Sequence, residues 1–198
     1  MSSREQILSG IRARRIRRAD RPASYVAPTP QGDPVQRFAD EVRSEHAEVH
    51  MLDSEAGIPA AIADILRAKN LPASVHLPDG SAFAGLPWGS LTVEQSAPGP
   101  DDAALARADF AIAETGTLAY LAQTGAPASW HFRAGLEIAV IRADAILPHL
   151  ENVLTRVRAR LPHTLNLVTG PSRTGDIEQT LELGAHGPKA LAILIVRS

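Results

Sequence analysis

Apolar positions follow two alternating patterns from Val35 onward. The segments "VQRFADEVRSEHAEV" and "SEAGIPAAIADILRAKN" carry apolar residues every three or four positions, which predicts helices with one buried face. The segments "ADFAIAE", "LEIAVIRAD" and "ALAILIV" are short continuous apolar runs, which is typical of strands buried on both faces. The alternation predicts an α/β fold with a largely parallel sheet and helices on both faces.

Shorter segments complete the predicted order of elements. "VHML", "SVHLP", "LTVEQ" and "TLNLV" have the length and composition of strands, and "TLAYLAQTG" is either the continuation of "ADFAIAE" or its hairpin partner. "PHLENVLTRVRARL" predicts a helix with Pro148 near its first turn, and "GDIEQTLELG" predicts a helix that ends at Gly184.

The first part of the chain has a different character. Residues 2–18 predict a helix, in which Ser2 and Glu5 fit a capping box and the end carries the basic run "RARRIRR". Four Pro residues then occur within "DRPASYVAPTPQGDP", a composition typical of a linker or an extended arm. We therefore divide the chain into an N-terminal basic helix with a Pro-rich arm, residues 1–34, and an α/β domain, residues 35–198.

Composition excludes several classes of protein. The chain has 198 residues, of which 44% are hydrophobic, so one sizeable core is expected. It contains no Cys, which excludes disulfides, a thiol nucleophile and an iron–sulfur cluster held by its own thiolates. No apolar run approaches the roughly 20 residues of a membrane span, and the N-terminus lacks the apolar segment of a signal peptide. A cytoplasmic location is expected.

Two loops carry candidate chemistry, because ligands of open α/β sheets lie at the carboxyl ends of strands. The first is "AETGT", directly after "ADFAI". Glu114 would stand at the strand end as a base, nucleophile or hydrogen-bond acceptor, beside a turn of Thr115, Gly116 and Thr117 whose N–H groups could hold an anion. An ordinary strand-to-turn junction with a solvated glutamate fits the same residues.

The second loop is "TGPSRTGDIE", between a predicted strand and a predicted helix. Gly170, Ser172 and Arg173 precede Thr174, which could cap the helix, and Asp176 would lie in its first turn. A guanidinium and helix N-terminal N–H groups suit a phosphate or carboxylate. The spacing is not that of a Walker A motif, and a capped turn with Arg173 in solvent remains open.

A third candidate is His186, which lies between Gly184 and Gly187 in "LGAHGPKA". It could face a ligand or move protons, or it could hydrogen-bond the last carbonyls of the preceding helix. The other His residues show no HxH or HExxH spacing, so no metal site is expected.

The motifs "ADFAIAETGTL" and "VTGPSRTGDIEQTLELGAHGP", with the closing apolar strand, closely resemble the LUD-domain family and its lactate utilisation protein C group. The opening "SREQILSGIRA" and the Pro-rich arm resemble the start of that group. The resemblance implies a fold similar to the NagB/RpiA/CoA-transferase group. It also implies a part in the oxidation of L-lactate to pyruvate, beside partner proteins that carry iron–sulfur clusters, with no cofactor bound by this chain.

The chain departs from the family at one place. The family's Leu-Pro-Pro-x-His pattern is replaced by "GAPASWHFRAGLEIAVI", with Gly135, Leu136 and Glu137 where Pro-x-His is expected and His131 out of register. Glu114 also resembles the glutamate nucleophile of CoA transferases, which is an analogy of fold and not of reaction.

Two other functions stay open from sequence alone. The five Arg residues between Arg12 and Arg18 could bind nucleic acid, although no aromatic residues interleave with them and Arg is the dominant basic residue throughout. The chain could also be a stand-alone enzyme of CoA-transferase or ligase type. In that case the isolated chain would turn over substrate, whereas a component of an oxidoreductase complex needs its partners.

Overall fold

The computed structural model describes residues 3–13, 23, 25–26, 28, 32–122, 130–158, 162–175, 181–183 and 187–197, with residues 173–175 and 181–183 described through their backbone. Its helices are α1 to α5 in chain order: Ser3–Ala13, Pro34–Ser44, Ile58–Ala68, Trp130–Arg133 and Leu150–Val157. Its strands β1 to β12 are Glu48–Leu52, Ser74–His76, Thr92–Glu94, Ala103–Arg107, Phe110–Ile112, Thr117–Leu121, Leu136–Arg142, Ile146–Leu147, Leu165–Thr169, Arg173–Gly175, Leu181–Leu183 and Ala190–Val196.

Six strands form a parallel sheet in the order β1-β12-β7-β4-β2-β3. The two longest strands, β7 and β12, pair along their full length at its centre. Both are nearly continuous apolar runs, because each is covered on both faces. This sheet confirms the predicted α/β fold and its largely parallel character.

Helices cover both faces of the parallel sheet. Phe38 and Val42 of α2 pack on the face that includes Ala104, and Ile62 and Leu66 of α3 pack on the other face. The start of α2 is fixed by Asp33, whose side chain accepts a hydrogen bond from the Val35 N–H at 3.0 Å.

A second sheet of four strands, in the order β8-β5-β6-β9, packs on the same face as α2. Strand β6 pairs antiparallel with both β5 and β9, and α5 packs on the outer side through Val153 and Val157. "TLAYL" is therefore the hairpin partner of "ADFAI", one of the two predicted alternatives. "TLNLV" forms a strand as predicted, but in this second sheet.

One predicted helix is wrong. The segment "GDIEQTLELG" contains Leu181–Leu183, which is strand β11 and pairs antiparallel with β10, Arg173–Gly175. The "LEL" residues alternate apolar, polar and apolar, which is the period of a strand and not of a helix. Residues 176–180 and 184–186, and residues 14–18 of the predicted N-terminal helix, lie outside the described residues.

Two glycines allow α2 to approach the second sheet closely. Gly116 has φ +61° and Gly170 has φ +65°, which favours glycine at both positions. A Cβ on Gly116 would lie 2.9 Å from the backbone nitrogen of Val42, and a Cβ on Gly170 would lie 2.9 Å from the Cβ of Glu45. Both glycines therefore face α2.

We expect Gly116→Ala to destabilise the protein more than Gly89→Ala. Gly89 has a similar φ of +59° but has open space where a Cβ would stand. Gly89→Ala therefore measures only the cost of placing a residue with a Cβ in the left-handed backbone conformation, about 1–2 kcal/mol. Overpacking against Val42 should add roughly 1–3 kcal/mol to the loss of unfolding free energy in Gly116→Ala. Urea denaturation of the two variants measures this difference, and equal losses would contradict the close approach.

Candidate functional site

Glu114 lies where strand β5 ends, and its carboxylate is held by a histidine. Its Oε2 is 2.9 Å from Nδ1 of His149, the residue just before α5. The Glu114 N–H donates to the carbonyl of Pro148 at 3.1 Å, which fixes the backbone beside this pair. The side chain of Glu114 is 45% exposed and that of His149 only 6%. The buried imidazole of His149 thus orients the Glu114 carboxylate, which remains accessible to a ligand.

Both ring nitrogens of His149 face acceptors. Nδ1 faces the Glu114 carboxylate, and Nε2 lies 3.0 Å from the carbonyl oxygen of Pro28 in the N-terminal arm. Since neither oxygen can donate, both nitrogens must carry protons for both hydrogen bonds to form, and the ring is then an imidazolium. The hydrogen bond to Glu114 is the main cause that raises the pKa of His149, against the opposing effect of desolvation.

A row of threonine hydroxyls joins the two candidate loops. The Oγ1 atoms of Thr115 and Thr117 are 2.7 Å apart, and Oγ1 of Thr117 is also 2.7 Å from Oγ1 of Thr169. Thr117 and Thr169 are direct partners in the β6–β9 register. The structure therefore brings "AETGT" beside "TGPS" through antiparallel pairing in the second sheet.

The predicted position of these loops at the carboxyl edge of the parallel sheet is wrong. Strand β5 is short, and the turn at Thr115 and Gly116 reverses the chain into β6 within the second sheet. The side of Gly116 on which a Cβ would stand is occupied by residues of α2.

The second loop is described in part. The Ser172 N–H donates to the carbonyl of Pro188 at 2.9 Å, and a groove of about 140 Å³ is lined by Gly170, Ser172 and Gly187 among others. Arg173 and Thr174 lie in β10, so Thr174 does not cap a helix as predicted. Asp176 and His186 lie outside the described residues.

A buried polar network lies elsewhere, and the sequence motifs did not point to it. Tyr120 donates its hydroxyl to Oε1 of Glu137 at 2.7 Å, and Nδ1 of His131 is 2.9 Å from the same oxygen. The rings of Tyr120 and His131 stack with centroids 3.8 Å apart, and Glu137 is fully buried. Burial, followed by the Glu137 charge, raises the pKa of Tyr120 well above its usual range.

This network lies where the chain departs from the family pattern. Glu137 is the second residue of β7, and His131 reaches it from the short helix α4. The sequence signal was a charged residue inside an otherwise apolar strand, which requires a partner when the strand is buried. Glu137 Oε2 has no hydrogen-bond partner among the described residues.

A cavity of about 240 Å³ lies beside the network, at the carboxyl ends of β2 and β4. Residues 78–83 follow β2, and Arg107 ends β4. Arg107 pairs with Glu55 through Nη2 at 2.7 Å, and its guanidinium carbon lies 4.6 Å from the centroid of the Phe83 ring. The cavity, and not the predicted loops, occupies the position at which open α/β sheets place ligands.

Within the part of the chain that the structure describes, no group of three or more His, Asp or Glu side chains could hold a metal ion. None of the helices in the same described part has the length and apolar character needed to traverse a bilayer.

The mostly parallel sheet with helices on both faces defines an α/β protein. A crystal structure of a DUF162 family protein from Deinococcus radiodurans shares this fold, with a TM-score of 0.66 and 24% identity over 85% of this chain and 99% of that one. Residues 101–196 match the family model of the LUD domain. This part of the chain is therefore similar to the LUD domain, as the resemblance of its motifs implied.

Two bacterial relatives are similar to about half of the chain. Lactate utilization protein C of Halalkalibacterium halodurans is 31% identical over 101 residues, which cover 48% of this chain and 44% of that protein. Lactate utilization protein C of Geobacillus thermodenitrificans is 26% identical over 117 residues, which cover 55% of this chain and 49% of that protein. The chain thus matches about half the length of these relatives.

We expect Glu114→Gln to reduce stability more in mildly acidic than in alkaline solution. The pKa of His149 is higher in the folded protein than its ordinary value of 6.5. Protonated His149 therefore contributes its full stabilisation below pH 6.5. This contribution is lost as the pH rises through the pKa of His149 in the folded protein. The unfolding free energies of wild type and Glu114→Gln should therefore differ more at about pH 6 than at about pH 9.

A histidine ¹⁵N titration should also show a lower pKa of His149 in Glu114→Gln. Glu151→Gln is the matched control, because Glu151 is exposed and has the weakest of the effects on this imidazole. A stability difference that does not change with pH would contradict the charged pair.

Proposed function

We propose that the chain acts in lactate utilisation, as a component of a system that oxidises L-lactate to pyruvate. The observation that carries this proposal is the match of residues 101–196 to the LUD domain, together with relatives that bear the name lactate utilization protein C. The alignments with these relatives cover about half of this chain and less than half of each relative. The proposal therefore concerns the reaction system and not a step performed by this chain alone.

The proposed system includes partner proteins that carry iron–sulfur clusters. Oxidation of lactate to pyruvate releases two electrons, which need a carrier. The chain has no Cys, so thiolate-bound clusters would have to be supplied by another chain. The proposed role for this subunit is to bind a small ligand or to organise its partners.

The proposed anion pocket lies between the two loops that the threonine row joins. We assign the carboxylate or phosphate to Arg173 and the backbone from Gly170 to Thr174, with Glu114 on the other side. The Thr117–Thr169 hydroxyl contact supports this arrangement because it holds the loops next to each other. The exposed Glu114 carboxylate would accept a hydrogen bond from the ligand while His149 orients it.

The growth of a deletion strain on L-lactate as sole carbon source tests the pathway, in a strain without another lactate dehydrogenase. We expect no growth, rescue by wild type, and slower growth with Glu114→Gln, because a neutral amide oxygen accepts a weaker hydrogen bond than a carboxylate. Glu151→Gln is the control and should rescue fully. Rescue by Glu114→Gln would restrict Glu114 to a structural role.

Affinity purification of the chain from lactate-grown cells gives a second readout of the same proposal. Iron and acid-labile sulfide should purify with the tagged chain. Normal growth of the deletion strain would overturn the pathway, whereas lost growth without associated iron and sulfide would overturn only the partners.

A further inference from the structure

The N-terminal arm meets the α/β domain at His149, where a backbone carbonyl faces a buried imidazole. The Pro28 carbonyl oxygen lies 3.0 Å from Nε2 of His149, across 121 positions of the chain. Other described residues of the arm are open to solvent: Tyr25 is 69% exposed, Val26 is 84% exposed, and Ala23 is exposed as well. Apolar burial at these positions therefore adds little to the hydrogen bond that holds the arm at Pro28.

The hydrogen bond to Pro28 depends on the charge of the ring. The oxygens of Glu114 and Pro28 only accept, so both hydrogen bonds form together only when the ring is an imidazolium. The neutral ring keeps one proton. That proton stays on Nδ1, because the Glu114 carboxylate is a stronger acceptor than a neutral carbonyl. Nε2 then presents a lone pair to the lone pairs of the Pro28 oxygen, and attraction is replaced by repulsion.

Water offers the Pro28 carbonyl an alternative partner. Pro28 is exposed, whereas the side chain of His149 is buried. A carbonyl at an exposed position loses little when it exchanges a protein donor for water. Loss of the proton on Nε2 therefore favours a conformation in which the arm has left the ring.

The charged surroundings of His149 favour the protonated ring. Among the described residues, the charged groups that act on the ring are Glu114 at the end of β5 and Glu151 in α5. The hydrogen bond to Glu114 is the largest of the effects that raise the pKa of His149 from its ordinary value of 6.5; desolvation opposes it, and the Pro28 carbonyl adds to it. The described part of the arm also contains Tyr25, whose side chain is exposed.

We propose that His149 is a pH-sensitive switch, which holds the N-terminal arm at Pro28 while the ring is protonated and releases the arm when the ring becomes neutral. Glu114 keeps the ring oriented in both states through Nδ1. Release leaves Nε2 as an acceptor beside an exposed carboxylate, so the bound arm is autoinhibitory toward any donor that approaches this nitrogen. The inference goes beyond the function proposed above and does not rest on it.

The coupling between the arm and the proton is reciprocal. Because the Pro28 carbonyl is one of the groups that raise the pKa of His149, release of the arm lowers that pKa. A ligand or partner that displaces the arm would therefore also favour the neutral ring.

Distance measurements between two spin labels on the full chain test the release of the arm. The chain has no Cys, so Val26→Cys in the arm and Thr155→Cys on α5, both at exposed positions, carry the labels. Below pH 6.5 the distance distribution should be narrow. Above the pKa of His149 in the folded protein it should broaden and move to longer distances.

A second pair of labels controls for changes in the body of the protein. Ala68→Cys on α3 and Thr155→Cys are both exposed and lie outside the arm, so their distance should not change with pH. A distribution from position 26 that stays the same throughout the titration would overturn the switch. A change that appears equally in the control pair would overturn it as well.

Three variants of the labelled chain test whether His149 is the titrating group. Glu114→Gln should lower the midpoint of arm release and the pKa of His149, measured by ¹⁵N titration, by the same amount. Glu151→Gln should shift both much less, because Glu151 has the weakest of the effects on the ring. His149→Gln should abolish the pH dependence, since an amide does not titrate. A midpoint that survives in His149→Gln, or that stays in place in Glu114→Gln while the pKa moves, would assign the release to another group.

Discussion

The close approach of α2 to the second sheet is the constraint on which the arrangement of the candidate loops depends. The backbone of this helix fills the space beside Gly116, and Glu45 at its C-terminal end fills the space beside Gly170, so a larger residue at either position requires displacement. This contact holds the turn between β5 and β6 and the end of β9 against one helix. Glu114 and the row of threonine hydroxyls derive their positions from that turn. The two glycines therefore influence the position of Glu114 and the threonines by allowing α2 to pack closely against the turn.

The two polar centres differ in how their charges are compensated. The Glu114–His149 pair is partly open to water, and its imidazole is held from the N-terminal arm as well as from the carboxylate. Glu137 is fully buried and accepts from two side chains on one oxygen. Removal of either Tyr120 or His131 would leave the buried Glu137 carboxylate with one donor fewer. In a medium of low dielectric this loss destabilises the folded protein.

Local periodicity was sufficient to predict the parallel sheet and its covering helices. The apolar runs of β7 and β12 and the amphipathic patterns of α2 and α3 are strong signals that depend on burial of each segment. The order of strands was not predictable in this way. The second sheet depends on a turn at Gly116 that reverses the chain, and a turn of this kind is compatible with either a continued strand or a hairpin.

The candidate site was predictable only where its residues share a motif. Glu114 and the threonines were found because they are adjacent in sequence. His149, Pro28 and the His131–Glu137 contact were missed because they depend on elements that meet only in the folded chain. The Glu114-to-His149 contact spans 35 positions and the His149-to-Pro28 contact 121. The helix predicted at 175–184 is wrong because "LEL" alternates as a strand does, and its pairing with Arg173–Gly175 forms only in the folded chain.

The position of β12 has a consequence for synthesis on the ribosome. This strand follows all other described strands in the chain, yet it lies between β1 and β7 in the sheet. Until it is translated, both neighbours lack this partner, and each offers an unpaired strand edge to other chains. The parallel sheet can therefore close only after translation of β12, and a nascent chain that stalls before this point would be prone to aggregation and would depend on chaperones.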